Sequence, residues 1–246
     1  MATATTLPYC GAAPSPGELL SRFNLDPLLG VALILFAGLH AWHLRRRGLP
    51  LAAPMTGWAL AAAALMSPLC ALSVSLFSAR VGQHMFLALV AAPLIASGLP
   101  HVRSVRSAGL AGGAFLLALW GWHMPKPYAA TFRSDILYWL MHATLFGSAI
   151  WLWRALLSLE AERALPILAI GAASSVQMGL LGAVFAMTNT ALFTVHELTT
   201  PVWGLSPLAD QQLGGLLMWV PGLFFFLLAA VRTVWPLLSP PRTARN

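Results

Sequence analysis

Charge is what this 246-residue sequence has least of: Asp, Glu, Lys and Arg together make up 9% of it, against 59% hydrophobic residues. Soluble domains carry about 25% charged residues, so the composition excludes a soluble globular domain and points to a chain that lies in a bilayer. The mean hydropathy of +0.76 agrees. Cysteine is nearly missing as well. Cys10 and Cys70 are the only two, too few for a disulfide framework or a four-cysteine metal site. A single bridge between them is open to the chain if both face an oxidising compartment. Lysine occurs once, as Lys126 in a loop, which excludes a retinal-type Schiff base deep in a helical bundle. No helix offers two histidines four apart with a glutamate, so a zinc-protease site is excluded too. The net charge of +7 does not form one continuous patch, and nucleic acid is not an expected partner.

What is present is apolar length. Met1 to Leu20 has neither a basic region nor a continuous apolar core, so a cleavable signal is not expected there, and the run from Leu25 reads as an uncleaved anchor. At roughly 20 apolar residues per crossing, seven spans are expected: Pro27 to Leu44, Met55 to Leu76, Val81 to Leu99, Ala108 to His123, Ile136 to Leu157, Leu165 to Met187 and Leu213 to Trp235. Pro68, Pro93 and Pro221 fall inside spans and should kink them. The fold class is thus an all-α polytopic membrane bundle. Its expected divisions are a tail over 1–24, a transmembrane domain over 25–236 and a second tail over 237–246.

Basic residues set the expected orientation. Arg45, Arg46, Arg47, Arg103, Arg106, Arg154, Arg163, Arg232, Arg242 and Arg245 fall on one side; Arg22, Arg80, Lys126 and Arg133 fall on the other. The positive-inside rule then places the N-terminus outside and the C-terminus inside. Glu18, Asp26, Asp135, Glu197 and Asp210 gather at the outer ends, with Glu160 and Glu162 inside. The longest internal connection, Thr188 to Ala209, is outer by the same reckoning, and loops of that length are often functional. Gly171, Ser175, Gly179 and Gly182 form a small-residue stripe that suits close helix packing, and Ser174, Ser175 and Gln177 read as interhelical hydrogen-bonders.

The histidines separate by depth. His40, His43 and His101 lie at the inner side and read as interfacial. His84, His123, His142 and His196 all fall in the outer half or outer loop, and ionisable groups inside a membrane default to function. Met85, Met124 and Met141 are their sequence neighbours, and Met187 and Met218 end or enter spans at the same level. Imidazole and thioether together favour copper, Cu(I) above all. The metal candidates are therefore His84, His123 and His142, then Met85, Met124, Met218 and His196, with Asp210 as a carboxylate at the mouth that draws the ion in. One haem on the outer side stays open as an alternative.

Gln83-His84-Met85, then Pro93-Leu94 and Gly98-Leu99-Pro100, then Trp122-His123-Met124-Pro125 with Tyr128, then His142, and last Asp210-Gln211-Gln212-Leu213-Gly214-Gly215-Leu216-Leu217-Met218-Trp219-Val220-Pro221-Gly222 resemble the CtaG-like bacterial cytochrome c oxidase assembly proteins. Arg80 and Val81 take the turn before Gln83-His84, so a site here has to be assembled across helices. The resemblance implies a non-enzymatic, multi-pass protein of the bacterial inner membrane. Its expected partners are cytochrome c oxidase subunits, a periplasmic copper donor and the lipid bilayer, with copper carried transiently towards a haem-copper oxidase. A scaffold without metal and a copper transporter are the alternatives.

Overall fold

A computed structural model of the chain describes residues 7–102, 104–158 and 163–238, the last three without side chains. Among them the regular structure is all helical. Hydrocarbon offers backbone groups no water, and a helix satisfies them within its own segment. Arg103, Glu160, Glu162, Arg242 and Arg245, which entered the orientation argument, lie outside the described residues, as does most of the 237–246 tail.

Helix α1 (Pro27–Arg46) begins where Asp26 accepts a hydrogen bond from the Leu28 N–H and Pro27 supplies its fixed φ at the first turn. It is the peripheral helix, with most of its apolar surface exposed. Helix α2 (Ala52–Met66) and helix α3 (Leu69–Ser75) meet at 47° across Ser67-Pro68. Proline cannot continue the ladder, so the expected second span is two helices. After Leu76 in extended conformation, α4 runs Phe77–Ala96. Helix α5 (Val105–Trp122), the short α6 (Pro125–Ala130), α7 (Asp135–Leu156), α8 (Ala164–Met187) and α9 (Pro207–Leu238) complete the bundle.

Among the described residues five helices, α1, α4, α7, α8 and α9, are long and apolar enough to cross a membrane, and the bent α2–α3 pair makes up to six. The protein is a multi-pass membrane protein on this count. Helix α5, expected as the fourth of seven spans, has 18 residues and falls short on hydropathy, because Arg106, Ser107, four glycines and Trp120 and Trp122 dilute its apolar content.

Helix α4 is the core of the bundle, 72% buried over its apolar window. Its middle, Leu87–Ala91, widens into π-helix. The cause lies two residues on. Pro93 has no N–H to give the preceding turn, and a π segment relieves the clash of its ring. The Ala88 carbonyl left over accepts the Trp153 indole N–H at 2.7 Å. Helices α8 and α9 cross with backbones almost in contact: a Cβ on Gly182 would stand 2.7 Å from the Gly215 carbonyl oxygen, and one on Gly215 would stand 2.5 Å from that of Gly182. The expected packing stripe on α8 is thus used at that crossing, and Gln177 accepts from the Trp120 indole at 2.8 Å. His40 departs from its interfacial reading. It is buried, and its Nδ1 accepts from the Trp58 indole at 3.1 Å, joining α1 to α2.

One end of the bundle is capped by the residues from 7 to 26, by α3, α6 and the 188–206 connection. A disulfide joins Cys10 to Cys70, with Cα atoms 5.5 Å apart, and ties this tail onto α3. Asn24 reinforces it, its N–H donating to the Met66 carbonyl and its amide to the Leu65 carbonyl.

Candidate functional site

His84 lies seven residues into α4 and His142 seven residues into α7. At 1.5 Å of rise per residue, both sit about 10 Å below the same end of the bundle. His123 is the C-cap of α5, where Met124-Pro125 turns the chain into α6. The three imidazoles converge. The His84 ring centre is 5.4 Å from that of His123 and 5.2 Å from that of His142, and all three residues are at most 4% exposed.

Their hydrogen bonds fix which nitrogen is bare. His123 Nδ1 lies 2.7 Å from the Leu119 carbonyl oxygen, and His142 Nδ1 lies 3.0 Å from that of Tyr138. A carbonyl only accepts, so both Nδ1 atoms carry the proton and each neutral ring turns an Nε2 lone pair inward. Neither Nε2 has a partner, and neither nitrogen of His84 has one. A buried polar atom left unsatisfied costs about 1–3 kcal/mol, so four at one point call for a ligand. Among the described residues, no three His, Cys, Asp or Glu side chains already stand in coordinating geometry around one point.

Beside the imidazoles lies a cation. Arg80, one turn before His84 on α4, is 2% exposed. Its guanidinium carbon stands 4.3 Å from the ring centre of Phe132, 5.1 Å from Tyr128 and 5.5 Å from Tyr138. Its Nε and Nη1 have no hydrogen-bond partner. Ring faces offset part of the cost of a buried charge, at about 0.5–2 kcal/mol each.

Tyr138 links this cage to the capping end. Its ring packs at 4.3 Å on His142 and at 4.7 Å on Tyr9. Its hydroxyl lies 3.4 Å from Cys10 Sγ and 3.6 Å from Cys70 Sγ. Disulfide sulfurs carry no proton, so the phenol donates. Tyr9 donates in turn to Asp26. That bond holds the Asp26 carboxyl below the usual carboxylate range, while burial first and Asp26 second push the Tyr9 phenol up.

The remaining candidates are placed elsewhere. His196 lies in the 188–206 connection, its Nε2 2.7 Å from the Tyr128 hydroxyl and its ring edge-on to Phe132. Burial, then the Arg80 charge, lowers its pKa to about 3, and burial raises that of Tyr128. Asp210 is fully buried and does not stand at a mouth. Its oxygens accept from the Phe77 N–H at 2.7 Å, the Ser78 N–H at 3.1 Å and the Ser78 hydroxyl at 2.5 Å, which caps α4. Met124 is 37% exposed, and Met85 and Met218 are buried in the main apolar core.

The residues from Asp210 to Gly222 form a joint. Asp210 holds α4, the Gln211 carboxamide oxygen accepts from the Leu192 N–H at 2.6 Å, and the Gln212 amide donates to the Thr188 carbonyl at 3.3 Å. Gly214 leaves room for the Phe77 ring, which would stand 2.5 Å from a Cβ, and Gly222 leaves room for Met178 at 2.9 Å. The model of one protein family, described as the cytochrome c oxidase caa3 assembly factor, matches residues 35–239, through this joint and all three imidazole helices. The chain belongs to that family. No curated protein and no solved structure matches it. In this assembly factor the matched region holds His84, His123, His142 and Arg80 but begins after Cys10, so the disulfide-tethered tail lies outside it.

Arg80 and its aromatic cage are what sequence reasoning missed. Counting charges by side put Arg80 with the outer loop residues. The available signal was its spacing, i−4 from His84 inside an apolar helix, which puts the two on one face.

Proposed function

We propose that this protein holds copper transiently during maturation of a haem-copper oxidase, and that His84, His123 and His142 are its ligands. The observation that carries this is the set of four partnerless ring nitrogens on three buried imidazoles, with the His84 ring centre 5.4 Å from that of His123 and 5.2 Å from that of His142. Imidazoles sharing one ion at ~2 Å from each nitrogen have ring centres on the order of 5 Å apart, the spacing His84 keeps from each of the other two rings. His123 and His142 are oriented by their backbone carbonyls, the arrangement by which outer hydrogen bonds aim metal-binding histidines. His84, with no bond of its own, is the ring that turns. Met85 and Met218, buried in the main apolar core, are secondary candidates, while Met124, His196 and Asp210 serve the surrounding structure. The ion is cargo, so the protein is not an enzyme in this reading.

The Cys10–Cys70 bridge supports an N-terminus in an oxidising compartment. With α5 counted as a seventh span, the C-terminus is then inside, and the imidazoles lie in the outer leaflet of a bacterial inner membrane, facing a periplasmic copper donor and the oxidase subunits. The site is expected to act in cells as follows. Changing all three histidines to alanine lowers the copper content of the assembled oxidase several-fold without lowering the amount of this protein in the membrane. Unchanged oxidase copper would overturn the reading. The absence of preformed coordinating geometry among the described residues favours a second reading, a metal-free scaffold for an oxidase subunit. It predicts co-purification with that subunit that survives the same three substitutions while oxidase copper stays intact.

A further inference from the structure

Three neutral imidazoles are an excellent site for the wrong ion. A His₃ set binds divalent zinc and copper(II) strongly, so a site meant for Cu(I) has to reject divalent ions by something other than its ligands. We infer that Arg80 is that element: its buried guanidinium, one helical turn from His84, makes the imidazole cluster selective for monovalent over divalent metal ions. The inference rests on the copper-holding function proposed above and specifies the charge of the ion.

Arg80 stands on the His84 face of α4, and its guanidinium carbon is 5.5 Å from the ring of Tyr138, which itself packs at 4.3 Å on His142. No carboxylate partners its Nε or Nη1. The carboxylate held nearest along α4, Asp210, spends its oxygens on the amides of Phe77 and Ser78 and the Ser78 hydroxyl. The walls are aromatic rings, which stabilise the cation without cancelling its charge. Cβ atoms at i and i+4 are ~6 Å apart; with the guanidinium and the ion taken at that same spacing, an effective dielectric of about 20 disfavours each unit of metal charge ~10²-fold. A monovalent ion therefore loses ~10² in affinity and a divalent ion ~10⁴ by the same relation. The loss to the monovalent ion is itself useful, because cargo held loosely can be handed on.

The test is metal titration of the purified full-length protein in detergent, with silver(I) as an air-stable monovalent probe and zinc(II) as the divalent one. In wild type, silver binds and zinc binds far more weakly. In Arg80→Met and Arg80→Gln, zinc gains ~10²-fold more affinity than silver does. Arg80→Lys, which keeps the charge, retains the wild-type ratio. A silver-to-zinc ratio unchanged in the folded neutral variants, or lost equally in Arg80→Lys, overturns the role of Arg80 while leaving the site. If neither ion binds wild type or any variant, the copper-holding function falls instead.

Discussion

At Asp210 one side chain settles how a helix begins. Three donors from Phe77 and Ser78 converge on its carboxylate in a site closed to water. Asp210→Ala strands two buried N–H groups, and at about 1–3 kcal/mol for each it should lower stability by roughly 2–6 kcal/mol, read as a large fall in Tm. Asp210→Asn, which keeps an acceptor, should cost less. His196 gives a second residue-scale prediction. Its native pKa of about 3 lies below the ordinary histidine value of 6.5, so the native ring stays neutral while the unfolded chain takes up a proton below pH 6.5. Its stabilising contribution is complete above pH 6.5 and is lost as pH falls towards 3, at ~1.4 kcal/mol per pH unit. Replacing it by glutamine should make stability fall less steeply between pH 6.5 and 4.5, by about one proton's worth. An unchanged slope would mean that His196 is not buried neutral.

Among the elements, α4 and the strapped tail behave differently. Helix α4 was legible as an apolar span carrying Gln83 and His84, but its character was not, because the π segment at Leu87–Ala91 depends on Pro93 and on the Trp153 indole from a distant helix. Arg80 was misjudged for a related reason. Charge counting assumes that an arginine near a helix end faces water, and the rings that hold Arg80 come from α6, the 131–134 turn and α7. The bridge from Cys10 to Cys70 could only be left open by sequence, since two cysteines specify a possible bond and not the approach of their Cα atoms. That bridge closes a long loop, with a sequence separation of 60. Cys70→Ser, or reduction by a membrane-permeant thiol, should therefore destabilise the protein by roughly 2–5 kcal/mol and lower its Tm. A Tm indifferent to both would show that the tail contributes no stability.

For the whole molecule, the division between scaffold and site follows from where polar groups can be afforded in a bilayer. The most specific stretch of the sequence, Asp210 to Gly222, turned out to be the joint by which α9 holds α4, α8 and the capping loop. The three histidines, separated by at least 19 positions in the chain, were grouped from shared depth alone, and the fold brings their rings together. Depth is readable because helical rise is constant. The direction of a ring is not, since it depends on how helices turn against one another. The same limit explains Asp210 and Met124, which have the right depth and the wrong heading.

The central claim is that these rings share one ion, and the most direct measurement is the copper content of the purified protein after loading with Cu(I) and removal of free metal. One copper per chain in wild type, and none in a His84→Ala, His123→Ala, His142→Ala variant that keeps its helical content, is the result expected. A wild-type protein without copper, or one whose copper survives the loss of all three histidines, would contradict it.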